Sequence, residues 1–135
     1  MMTKRYEWGL LLLRLVLGLG FAIHGYEKFR GGIENTANWF DSIGLPGILA
    51  YGVALLEVMG GLALMAGLAT RLLAAFYVIV MLVAIFKVNL VAGFIGGYEL
   101  ELTYLTISLV LFISGGGLYS MDHALFPSRS VKVAR

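Results

Sequence analysis

The sequence predicts an all-α membrane protein, a bundle of four transmembrane helices, and three observations carry that reading. Of the 135 residues, 60% are hydrophobic and the mean hydropathy is +0.90, against roughly 45–50% apolar residues in an average soluble domain. Four stretches, 9–29, 46–69, 72–92 and 99–121, each have the length of about 20 predominantly apolar residues that crosses about 30 Å of hydrocarbon. Many of the 18 glycines fall inside these stretches, where small residues let helices approach closely in lipid. The whole chain, 1–135, reads as a single four-helix transmembrane domain.

The first stretch begins after Lys4 and Arg5, as a secretory leader would, but Arg14 interrupts its apolar core and no small-x-small cleavage site follows, so it reads as a retained span. The connection to the second stretch, "RGGIENTANWFDSIGLPG", is the longest of the three. Within it "ENTANWF" predicts a short interfacial helix, and Pro46 suits the first turn of span two, where a missing N–H is harmless. Spans two and three are joined by the tight "GLATRL" turn, and spans three and four by "AGFIGGYE". The fourth holds an uninterrupted uncharged run from Leu102 to Met121. Lys4, Arg5, Arg71, Arg129, Lys132 and Arg135 all fall on one side of this arrangement, which places both termini in the cytoplasm of a prokaryotic plasma membrane by the positive-inside rule. Tyr6, Trp8, Trp39, Tyr98 and Tyr119 lie near span ends, as interfacial aromatics do.

The remaining composition excludes several function classes. The net charge is only +2 and the basic residues form no stripe with interleaved aromatics, so nucleic acid is not a partner. Cysteine is absent, which removes thiolate metal sites and thiol–disulfide exchange. The two histidines, His24 and His123, lie at opposite ends of the fold, so no metal site is expected, and neither a flavin nor a haem signature is present.

What the composition leaves unexplained is a set of ionisable residues inside the spans, each of which costs on the order of 2.5–3.5 kcal/mol at mid-bilayer and so raises the question of a function. Arg14, Gly18, Phe21, Gly25 and Lys28 share one stripe at 100° per residue, with His24 at its edge and Glu27 nearly opposite. Glu57 lies roughly 16 Å along span two from Pro46 at 1.5 Å per residue, near the midplane. It is either carried neutral or paired with Lys87, Lys28 or Arg14. Lys87 and Asn89 end span three, Glu99 and Glu101 begin span four, and Glu101, Tyr104, Ser108, Phe112 and Gly115 have helical spacing. The lysines are long enough to snorkel to headgroups, and Glu99 and Glu101 also suit a water interface. Glu57 has neither explanation.

These residues, in this order, resemble the DoxX family of small four-helix membrane proteins. The stretches are "LLLRLVLGLGFAIHGYEKF", "NWFDSIGLPG", "ALLEVMGGLALMAGLATRL", "AIFKVNLVAGFIGGYELEL" and "SGGGLYSMD". Asn89 stands where many relatives carry a histidine, Gly116 where a proline is common, and Glu101 looks like a local addition beside the familial Glu99. The resemblance implies a membrane oxidoreductase or quinol-oxidase-type subunit associated with quinones and with resistance to them. On this reading Glu57 and His24 are the catalytic candidates, and Lys28, Lys87, Asn89, Glu99, Phe21 and Tyr104 the candidates for binding a quinone or related small aromatic. The electrons would come from a redox partner protein, with a homo-oligomer as the other expected assembly. Two alternatives stay open: a proton-coupled carrier or exporter of small molecules, and a membrane anchor or assembly subunit without catalysis.

Overall fold

The computed structural model describes residues 2–125; Arg129, Lys132 and Arg135, on which the charge reading leans, lie outside the described residues. Every regular element in it is helical. The order is α1 (Met2–Arg30), α2 (Ile33–Ser42), α3 (Ile48–Ala66), α4 (Thr70–Ala84) continued by a π-helical turn (Ile85–Asn89), then α5 (Glu99–Ser114) and a short α6 (Met121–Leu125). Four segments are long and apolar enough to cross a membrane: Lys4–Arg30, Ile48–Ala66, Thr70–Asn89 and Phe94–Ser114. Each carries large apolar side chains turned outward, such as Leu12, Val16, Leu19 and Ile23 along α1. Helical spacing makes these a continuous outer stripe, a surface that lipid covers.

The helices pack chiefly as two pairs, α1 with α3 and α4 with α5. The seam of the first pair is built from small residues: a Cβ added to Gly18 would stand 2.5 Å from the Gly61 carbonyl oxygen, and one added to Gly61 would stand 2.5 Å from that of Gly18. Only glycine permits the two backbones to touch there. Between the pairs lies the core of Leu17, Phe21, Leu64, Leu73, Ala74, Tyr77, Met81 and Leu111.

The fourth span differs from its expected extent. The uncharged run predicts a helix over 99–121, but α5 stops at Ser114, because Gly115 and Gly117 take φ of 75° and 82°, the left-handed region in which an α-helix cannot continue. The chain from 115 to 120 turns back beneath α3 and α4 and is held there by buried polar side chains. Arg14, only 2% exposed, donates from Nε to the Leu64 carbonyl (2.9 Å), from Nη1 to that of Gly116 (2.7 Å), and from Nη2 to those of Tyr119 (2.9 Å) and Met65 (3.2 Å). The Glu7 carboxylate accepts the Leu118 N–H. Asp122 accepts the N–H groups of Ala69 (2.8 Å) and Thr70 (2.9 Å), so a side chain from the far end of the chain satisfies free donors at the start of α4. At the other end of the bundle Asp41 accepts the Gly47 N–H at 2.8 Å and fixes the turn from α2 into α3. Pro46 lies just ahead of that helix rather than in its first turn.

Candidate functional site

The end of the bundle that carries α2 holds a cavity of about 380 Å³. It is a mostly apolar concavity with a few convergent polar groups, the usual character of a small-molecule site. The polar groups come from α1, α3, the π-helical turn that ends α4, and α5. Glu57 faces inward from the middle of α3 and is 3% exposed. Lys28, in the last turn of α1, bonds both of its oxygens, at 2.9 and 3.0 Å. A carboxylate buried this deeply needs such a partner, and of the three cations the sequence offers, the structure supplies Lys28. His24 lies one turn before Lys28 on α1, so the two share a face. Its ring meets Tyr104 of α5 edge-on, with centroids 6.0 Å apart.

Aromatic rings form the walls. Phe21 is stacked on Tyr77, centroids 3.8 Å apart and planes 8° from parallel, and lies 5.3 Å from the Tyr104 ring. Tyr77 is in turn fixed by donating its hydroxyl to the Leu56 carbonyl at 3.1 Å, one residue before Glu57, so the platform and the charged pair are positioned by the same turn of α3. Helix α2 contributes Trp39 and Phe40 to the lining.

At the end of α4 the π-helical turn, closed by the Leu90 N–H on the Ile85 carbonyl at 2.8 Å, carries Asn89 into the cavity wall. π-Helical turns of this kind recur at functional sites. Asn89 donates to Glu101 Oε1 at 2.7 Å. The other oxygen of Glu101, Oε2, is buried and has no hydrogen-bond partner among the described residues.

Of the candidates read from the sequence, Glu57, His24, Lys28, Phe21, Tyr104 and Asn89 line this one cavity, and Lys87 and Glu99 do not. Residues two apart on a helix face away from each other. With Asn89 inward, Lys87 is exposed and its amine lies toward Gly44 in the α2–α3 turn. With Glu101 inward, Glu99 is exposed and accepts the Gly96 N–H at 3.4 Å. Arg14 shares a stripe with Lys28 but lies about 21 Å along α1 from it at 1.5 Å per residue, and belongs to the opposite end of the bundle. Glu27 pairs with Arg30 on the exposed face, at 3.1 Å. Sequence reasoning missed Glu101 as a lining residue, although it shares helical spacing with Tyr104 and Ser108, and it missed Tyr77. Among the described residues no three His, Asp or Glu side chains converge as a metal site requires.

Comparison with known proteins gives this geometry a context. The DoxX family model matches residues 9–90. A protein of Bacillus subtilis (strain 168) named "Putative oxidoreductase CatD" is 38% identical over 128 residues, which cover 95% of this chain and 95% of that protein. "Inner membrane protein YqjF" of Escherichia coli (strain K12) is 33% identical over 129 residues, covering 92% of this chain and 97% of that protein. A Haemophilus influenzae protein of unassigned function is 32% identical over 131 residues, 93% of this chain. No solved structure matches. The chain is a multi-pass protein of the cell membrane.

Proposed function

This chain belongs to the DoxX family, and on that premise we propose that it is a membrane redox protein that binds a quinone or related small aromatic in the cavity beside Glu57. One observation carries the reading: an ion pair between half-buried Lys28 and buried Glu57, with His24 alongside, opens on a cavity walled by aromatic rings. A ring-sized ligand needs flat apolar walls and a small number of placed polar groups. Phe21 and Tyr104 supply the first. Lys28 and His24 supply donors for a ring oxygen, and Glu57, held against the lysine, relays in turn the two protons that accompany the two-electron change between quinone and quinol.

The two electrons are exchanged with a redox partner protein, and the side chains of this cavity handle the protons. The relative named an oxidoreductase supports the same class of chemistry. Both termini lie in the cytoplasm in this reading, and the cavity opens in the opposite half of the bilayer, within reach of lipid-soluble ligands.

Trp39 lines the cavity, while Trp8 packs on Tyr119 at the other end of the bundle, with centroids 5.0 Å apart. Titrating the purified protein in mild detergent with a short-chain quinone is therefore expected to give saturable quenching that persists in Trp8→Phe and disappears in Trp39→Phe. Quenching that rises linearly without saturation, or that survives loss of Trp39, would overturn the reading.

A further inference from the structure

The polar groups of the cavity come from its two helix pairs and are chemically unlike. On the α1–α3 side Lys28 and His24 can donate to a ligand oxygen, with Glu57 beside Lys28. On the α4–α5 side Glu101 has one oxygen bonded to the Asn89 amide at 2.7 Å and the second buried without a partner among the described residues. Glu101 accepts the Asn89 N–H, and a carboxylate has only acceptors to offer. Among the described residues the ion pairs are Lys28–Glu57 and Arg30–Glu27, and none of these residues fills the remaining acceptor capacity of Glu101. Buried polar atoms in native structures are as a rule satisfied; here the missing partner is a donor.

We infer that Glu101 makes its side of the cavity an acceptor-only subsite, which selects the hydroxyl-bearing, reduced form of the aromatic ligand over the corresponding quinone. This rests on the reading above that the cavity takes a ring-bearing redox ligand. A hydroxyl both donates and accepts. An aromatic diol can therefore accept from Lys28 or His24 with one oxygen and donate to Glu101 with the other. A quinone carries acceptors only. It satisfies the Lys28 side, but sets a carbonyl lone pair against the Glu101 carboxylate on the other. Glu101 lines the cavity from α5, and its Oε1 already accepts from Asn89, so this side of the cavity presents a carboxylate. A site built around one hydrogen bond discriminates strongly against the analogue that cannot make it.

The test is the ratio of two affinities. The full-length protein in lipid nanodiscs is equilibrated under anaerobic conditions with durohydroquinone or with duroquinone, which share a ring and its methyl groups, and the bound fraction is read by dialysis. The expected result is that wild type binds the hydroquinone about tenfold more tightly, the scale of one unsatisfied buried group, and so raises the midpoint potential of the bound couple by about 30 mV. Glu101→Gln, whose amide both donates and accepts, is expected to bring the two affinities within about twofold to threefold of each other, whereas Glu57→Gln weakens both alike. Equal binding of the two forms by wild type, or an unchanged ratio in Glu101→Gln, overturns the acceptor-only subsite and leaves the redox-ligand reading standing. Binding of neither form overturns both.

Discussion

Replacing Arg14 by methionine is expected to destabilise the protein more than any other single substitution in the bundle. The arginine does not line the cavity. Its guanidinium donates to four backbone carbonyls, those of Leu64, Met65, Gly116 and Tyr119, and so ties the end of α3 to the returning chain after α5. The Leu64 carbonyl keeps the Gly67 N–H; each of the others left unsatisfied in a buried site costs about 1–3 kcal/mol, and a folded protein is stable by only about 5–15 kcal/mol in total. Arg14→Lys offers a compact point charge where a planar fork is needed, and is expected to recover only part of the loss. Size-exclusion profiles after brief heating in detergent check this: Arg14→Met should lose its monodisperse peak well below the temperature that wild type survives, with Arg14→Lys between them. A methionine variant as heat-stable as wild type would show that the clamp is dispensable.

Lys28→Met is expected to come next, for a different reason. It leaves the Glu57 carboxylate, whose side chain is 4% exposed, without the amine that bonds both its oxygens. Removing one partner of a buried ion pair costs roughly 3–5 kcal/mol, whereas replacing both partners by apolar residues is often neutral. The double substitution Lys28→Met with Glu57→Leu should therefore regain the heat resistance that Lys28→Met loses. It should not regain saturable quinone quenching of Trp39, since the polar end of the cavity is gone. If the single variant is as stable as wild type, the pair is not needed to hold the fold. If the double variant still binds, the pair is not the binding group.

The contrast between these two arginine and lysine positions shows what could be read from the chain and what could not. Hydropathy alone located the four apolar helices, and the glycines of α1 and α3 signalled a close seam between them. Glu57 stood out because a carboxylate at mid-span must have a partner, and its partner was among the three cations the sequence offered. The role of Arg14 was hidden because its partners are backbone carbonyls, which leave no mark in a residue pattern. The end of the fourth helix was misplaced because a hydropathy window registers Gly115 and Gly117 as apolar and says nothing of their positive φ. The choice of Asn89 and Glu101 over Lys87 and Glu99 depends on helical phase. For Lys87 and Asn89, the π-helical turn at Ile85–Asn89 shifts that phase in a way that a 100° step does not anticipate.

That polar end of the cavity is also where the functional account is most exposed to test. Purification in mild detergent, extraction with organic solvent and quantification of quinone per protein, for wild type and Glu57→Gln side by side, addresses it directly. The account predicts near-stoichiometric quinone with the wild-type protein and a clear fall in Glu57→Gln, with both proteins equally monodisperse. The absence of quinone from both, or equal amounts in both, would contradict it and turn attention to what else travels with this bundle in the membrane.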